Sequence, residues 1–280
     1  MKKLYVTDLD GTLLNSKGRL SDYSFNKIQE LIDKDVYVTF ATARSLFTAG
    51  VVLDHFDFNI PALVYNGGGI IDTSKREFTF INPIDRIVCE EIFKFLTPDK
   101  SQPFVLGVKS GKEIMLHKNP ESEEHTRHLE NRLKFNDKRQ TLVDEFYLLD
   151  DIINFTFIDT LEKINTVEEE LKTKYSSKLT VKKYFKIKTK DGLEYYYLDV
   201  TSNKANKGNM IKELANQLDV KIENVIVFGD ESNDIEMLQA AGTGIAVNNA
   251  VDKLKDVADL IIGSNDEDSV IKYICDREAS

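Results

Sequence analysis

Four short runs of β-branched and aromatic residues, each ending in polar or glycine-rich sequence, restrict this chain more than any other feature. They are Leu4-Tyr5-Val6-Thr7, Val36-Tyr37-Val38-Thr39-Phe40-Ala41, Ala62-Leu63-Val64-Tyr65 and Asn224-Val225-Ile226-Val227-Phe228. Continuous apolar runs of this length read as strands buried on both faces. Between the first two, Phe25, Ile28, Leu31 and Ile32 recur at helical spacing, with Ser21 or Asp22 as the cap. Strand, helix, strand, helix is the rhythm of a parallel sheet with crossovers, so an α/β fold with a doubly wound sheet is expected. Ligands of such sheets collect beyond the carboxyl ends of the strands. Those ends carry Asp8 and Asp10, Thr42, Asn66-Gly67-Gly68-Gly69, and Asp230 with Asp234.

The middle of the chain has a different character. After Asn82-Pro83, helical patterns at Ile84–Leu96, Pro120–Leu133 and Leu161–Tyr175 mix with strand patterns at Phe104–Val108, Glu113–His117 and Ile152–Ile158, and two short strands follow near Leu179–Val181 and Phe185–Ile187. A chain of 280 residues exceeds the usual single core. Two domains are expected: a core of residues 1–82 and 191–280, and an inserted α+β domain of residues 83–190. Lys182, Lys186, Lys188 and Lys190 share one side of an extended segment, which suits a solvated edge strand better than an anion site.

Composition removes several function classes. A net charge of -10 disfavours general binding to nucleic acid or anionic membrane. No apolar run approaches the roughly 18 residues of a membrane span, and the chain starts directly in a strand pattern, so a cytoplasmic location is expected. Cys89 and Cys275 are too few for a disulfide framework, and His55, His117, His125 and His128 lack zinc-protease spacing.

The opening Asp8-Leu9-Asp10-Gly11-Thr12-Leu13 carries the chemistry. Residues two apart in a strand point the same way, so Asp8 and Asp10 are expected on one side, with Leu9 turned to the core. Like charges about 4 Å apart repel by roughly 4 kcal/mol at a protein surface, and a cation is the natural remedy. Mg²⁺ would take one or two carboxylates and substrate phosphate oxygens, which points to a phosphorylated substrate. A turn followed by a helix cap explains the same residues without chemistry. Likewise Thr42 alone suits an N-cap, Lys204 competes with Lys207, and Arg44 suits a structural salt bridge as well as a substrate anion.

Taken in order, Asp-Leu-Asp-Gly-Thr-Leu from Asp8, Ala-Thr-Ala-Arg from Ala41, Asn-Gly-Gly from Asn66, Lys-Gly at Lys207, Gly-Asp-Glu-Ser-Asn-Asp from Gly229 and Asn-Ala at Asn249 resemble the motifs of the haloacid dehalogenase-like superfamily, in its Cof-type branch with a large α+β cap. Ala43 replaces the glycine usual between the threonine and arginine of the second motif, and Gly68 stands where alanine is usual. The resemblance implies a Rossmann-like core and a Mg²⁺-dependent phosphatase of small phosphorylated metabolites such as sugar phosphates. It makes Asp8 the nucleophile and Asp10 the acid and base, with Thr42 and Lys207 on the phosphoryl group. Ala43, Arg44, Asn66, Gly67 and Asn233 would contact phosphate or substrate. Asp8, Asp230 and the Asp10 carbonyl would hold the metal, Asp234 would stand in its outer shell, and Asn249 would help position the site. Two other functions fit parts of the pattern: a phosphosugar mutase of the same superfamily, and a receiver-type regulator that persists as the phosphoprotein.

Overall fold

The computed structural model describes residues 2–53, 56, 58–96, 100–190 and 192–279, so His55 lies outside the described residues. The chain begins with β1 (Leu4–Thr7), α1 (Asp22–Ile32), β2 (Tyr37–Phe40), α2 (Leu46–Val52), β3 (Ala62–Val64), β4 (Gly69–Asp72) and β5 (Glu77–Ile81). Ser21 and Ser45 cap α1 and α2, each accepting the N–H three residues on. There follow α3 (Arg86–Phe95), β6 (Pro103–Lys109), β7 (Lys112–His117), α4 (Glu123–Lys134), β8 (Gln140–Leu142), β9 (Asp151–Thr160), α5 (Leu161–Tyr175), β10 (Leu179–Lys188) and β11 (Glu194–Ser202). The chain closes with α6 (Lys207–Gln217), β12 (Val225–Gly229), α7 (Ile235–Ala240), β13 (Thr243–Ala246), α8 (Asp252–Lys255), β14 (Leu260–Ile261) and α9 (Ser269–Ala279).

Two units result, residues 1–80 with 205–280, and residues 81–204. The first is built on a parallel sheet in the order β14-β13-β12-β1-β2. Its strands are buried on both faces, as the unbroken apolar runs require: Leu4, Tyr5, Val6, Val225, Val227 and Phe228 are wholly buried among Ile28, Met210, Ile211, Leu214 and Ile271. Because β1 is followed by β2 on one side and bordered by β12 on the other, the strand order reverses at β1, which opens a crevice at that point. β3 continues beyond β2 through one parallel bridge, Ala41 to Leu63, and then forms its own small sheet with β4 and β5.

The second unit is a six-stranded sheet in the order β10-β11-β9-β6-β7-β8. Val88, Cys89 and Ile92 of α3 and Ile164, Val167 and Leu171 of α5 bury its apolar face with Phe155, Phe157, Leu198 and Val200. On α4, His125 and His128 stand against the Phe104 ring, and the His128 ring meets the Tyr197 hydroxyl at 2.8 Å.

Three expectations change. The opening strand stops at Thr7, and residues 9–13 coil into a tight turn instead of continuing extended through Asp10. The run Tyr195–Val200, expected in the core unit, is part of β11 and pairs antiparallel with β9 and β10, so the second unit ends near residue 204 and not at 190. A buried strand reads the same whichever sheet receives it, and only pairing decides. Finally, the two short strands foreseen at 179–187 are one strand, β10, irregular between Phe185 and Ile187. It does lie at a sheet edge, and Lys183 and Lys188 are paired with Glu168 and Glu194.

Helices α6 and α7 meet closely at Gly208, where a Cβ would lie 2.4 Å from the Glu236 carbonyl oxygen. Gly208→Ala should therefore destabilise the protein by about 1–3 kcal/mol in urea denaturation, the overpacking cost outweighing the gain of at most about 1 kcal/mol in helix propensity.

Candidate active site

Parallel register assembles the site. Thr7 is level with Phe40 on one side and Phe228 on the other, so Asp8, Ala41 and Gly229 leave their strands at the same edge. The Asp8 N–H donates to the Phe228 carbonyl at 2.9 Å, and the Ala41 N–H to the Thr7 carbonyl at 2.9 Å. Beyond Asp8 the backbone turns at Gly11, with φ +80°. A side chain there is doubly excluded, because a Cβ would lie 2.2 Å from Asp230 Oδ2.

Asp8, Asp230 and Asp234 converge, each offering a carboxylate oxygen within 4.8 Å of the others. The Lys207 ammonium, 1% exposed, lies 2.5 Å from Asp8 Oδ1 and 2.6 Å from Asp234 Oδ1. The other oxygen of Asp234 accepts the N–H groups of Asp230 and Glu231 at 3.1 and 3.2 Å. The Thr12 hydroxyl donates to Asp230 Oδ1 at 3.0 Å, tying the first turn to the late strand end.

Asp10 does not join this cluster with its carboxylate. Its oxygens take the Arg44 guanidinium as a fork, Nε to Oδ2 at 2.7 Å and Nη2 to Oδ1 at 2.6 Å. The two aspartates expected on one face thus have different partners, because the backbone leaves the extended conformation between them. Arg44 is correspondingly engaged by the protein itself.

The remaining predicted residues fall around the same edge. Thr42 is buried, its hydroxyl accepting the Arg44 N–H at 3.1 Å, while Ala43 is exposed in the bend between them. The Asn66 N–H donates to the Thr42 carbonyl, its side-chain oxygen accepts from Asn233 Nδ2 at 3.0 Å, and Gly67 lies against the main chain of Asn206. Asn249 Nδ2 donates to the Gly11 carbonyl at 2.7 Å, and Asn249 Oδ1 accepts the Asn265 N–H. The sequence signals no role for Thr12 or Asn265, since their side chains bind groups more than 200 residues away. Only the placing of Thr12 inside the opening motif hinted at it.

The electrostatics follow from the count. Fully ionised, three carboxylates and one ammonium would leave two negative charges in a buried place. Burial drives the Asp8 pKa well above the carboxylate range; Lys207 opposes the shift, and Asp234 and Asp230 add to it. Burial also pushes Asp230 up to about 6, with Asp234 adding and Thr12 opposing. On Lys207, burial disfavours the charge, but Asp8 and Asp234 more than offset it and its pKa is raised. An all-oxygen donor set with two uncompensated charges fits a hard divalent cation.

The family model for haloacid dehalogenase-like hydrolases matches residues 5–274. The chain belongs to this family. Haloacid dehalogenase-like hydrolases generally use a divalent metal, and the aspartate cluster can hold one. The chain is 28% identical to the 5-amino-6-(5-phospho-D-ribitylamino)uracil phosphatase YwtE of Bacillus subtilis (strain 168), over 97% of this chain and 96% of that protein. It is 26% identical to phosphatase YwpJ of the same organism, over 96% and 97%. Among solved structures, TM0651 from Thermotoga maritima superposes with a TM-score of 0.73 at 24% identity, covering 99% of this chain and 97% of that one. A haloacid dehalogenase-like hydrolase from Bacteroides thetaiotaomicron gives 0.73 at 23%, covering 99% and 100%. These likenesses bear out the expected fold class, a Rossmann-like α/β core with an inserted α+β unit. No helix among the described residues is long and apolar enough to cross a membrane.

Two outcomes follow for the cluster. Lys207→Met leaves buried carboxylates unpaired and should cost about 3–5 kcal/mol in urea denaturation of the cation-free protein. The folded pKa of Asp230, about 6, lies above its ordinary 3.8, so its ionisation penalises the cation-free fold increasingly as pH rises through that window and fully above it. The melting-temperature gain from millimolar Mg²⁺ should therefore be larger at about pH 7.5 than at about pH 5, where protons compete for the site. A gain independent of pH in thermal-shift titrations would contradict this.

Proposed function

We propose that the protein hydrolyses phosphate monoesters of small metabolites, sugar phosphates and similar compounds, with Mg²⁺ as cofactor and an aspartyl phosphate on Asp8 as intermediate. The observation that carries this reading is the Asp8 carboxylate itself, buried at a strand end, in contact with the Lys207 ammonium and close to Asp230. Family membership and the names of the bacterial relatives support it. Membership also favours an enzyme over a receiver-type regulator.

Asp8 attacks phosphorus while the ester oxygen leaves, and one difficult hydrolysis becomes two easier displacements. Asp10, entering the cycle protonated, gives the departing oxygen its proton and then, as the carboxylate, takes one from the water that attacks phosphorus, which breaks the bond to Asp8, releases phosphate and restores both aspartates. Lys207 has three N–H donors, so one remains for a phosphoryl oxygen beside those given to Asp8 and Asp234. The Thr42 hydroxyl accepts from the Arg44 N–H and keeps its own proton for the phosphoryl group. Asp234, with both oxygens occupied, fixes Lys207 and the turn after β12. Asp8, Asp230 and the Asp10 carbonyl would hold Mg²⁺, which would supply positive charge against the phosphoryl oxygens. Asn66 and Asn233, already joined by a hydrogen bond, line the phosphate side of the site with Gly67, and the inserted unit selects the leaving group.

Phosphate release from a panel of monoesters, including the phosphoribityl compound named for YwtE, measures this directly. The wild type should release phosphate and alcohol in equal amounts in the presence of Mg²⁺, and Asp8→Asn should lose about 10³-fold or more while keeping its fold by circular dichroism. Isomerisation of a sugar phosphate without phosphate release would point instead to a mutase. Unimpaired turnover by Asp8→Asn would exclude the covalent route.

A further inference from the structure

We propose that Arg44 is a positioning residue for Asp10, and not a binding site for a substrate anion; the inference rests on the acid and base role given to Asp10 above. Asp10 sits in the turn after β1, with its side chain about half exposed at 52%, and such a carboxylate has rotamer freedom that proton transfer cannot tolerate. The Arg44 fork removes that freedom by binding both oxygens, at 2.7 and 2.6 Å.

Arg44 is in turn rooted in the phosphate side of the site. Its N–H donates to the Thr42 hydroxyl at 3.1 Å and its carbonyl accepts the Tyr65 N–H at 3.0 Å, while the Thr42 carbonyl accepts the Asn66 N–H at 2.9 Å. The loops after β2 and β3 thus hold the Arg44 backbone, and its guanidinium holds the carboxylate of the β1 turn. The Arg44 side chain links the loop that carries Thr42 to the carboxylate given the ester oxygen to serve. Nε and Nη2 both serve Asp10, so a substrate anion could take this edge of the guanidinium only by displacing the group the reaction needs. Lysine has one point charge where arginine has a planar fork, and cannot fix both oxygens at once.

The test is the dependence of single-turnover phosphoryl transfer on leaving-group basicity, measured with p-nitrophenyl phosphate, phenyl phosphate and glycerol phosphate, because only the poorer leaving groups need a proton. In Arg44→Gln, the loss on glycerol phosphate should exceed the loss on p-nitrophenyl phosphate by about tenfold or more, and Asp10→Asn should show the same steepening. Arg44→Lys, the conservative variant, should fall between. Combining Arg44→Gln with Asp10→Asn should add less than about twofold to Asp10→Asn alone, since the two act as one unit. Equal loss on all three esters, or additive losses in the double variant, overturns the role of Arg44 while leaving that of Asp10 intact. A substrate-binding role would appear instead as a raised KM confined to esters with a second anionic group, such as phosphoglycolate. If Asp10→Asn itself shows no steepening, the acid and base assignment fails and the inference with it.

Discussion

A buried ammonium between two carboxylates is the contact on which the candidate site depends. Lys207 reaches Asp8 across 199 positions of sequence and Asp234 across 27, and it is as inaccessible to water as the leucines of the core. An ammonium has no reason to leave water without partners of this quality, and the carboxylates have none to gather without a cation. The pocket stays electrically incomplete even so, with three acids against one base. Burial first, and the neighbouring acids after it, raise the pKa of Asp8 and Asp230, and the excess of acidic groups makes the place suitable for a divalent cation and a phosphoryl group.

The fold supplies this contact by register. Parallel pairing of β1 with β2 and β12 brings their carboxyl ends level, so three loops begin from one edge without any further device. The loops are then fastened to one another: Thr12 to Asp230, Asn249 to the Gly11 carbonyl, Asn233 to Asn66, Arg44 to Asp10. Rigid strands set the coarse positions, and side-chain to loop hydrogen bonds set the fine ones, an arrangement suited to chemistry that needs groups held within a fraction of an ångström.

Much of this was legible before any coordinates. The apolar runs announced the parallel strands, the helical spacing announced the crossovers, and the polar residues at strand ends announced Asp8, Thr42, Asp230 and Asp234 as neighbours, while Lys207 came from the family resemblance. What failed to show was partner choice. Tyr195–Val200 reads as a buried strand and is one, yet nothing in its residues says that β9 and β10, and not the parallel sheet, receive it. Asp8 and Asp10 share a motif and a chemistry, but a turn that begins between them sends one to Lys207 and the other to Arg44.

By itself the sequence determined which segments are strands and helices, because those depend on periodicity and on local caps, and it marked the strand ends where function would gather, because acidic, hydroxyl and glycine residues have little other reason to follow buried apolar runs. Only the tertiary structure decided which charge meets which. Ion pairs such as Lys207 with Asp8, and hydrogen bonds such as Thr12 with Asp230, join residues about two hundred positions apart, and the free energy of such contacts exists only after the sheet has brought its edges together.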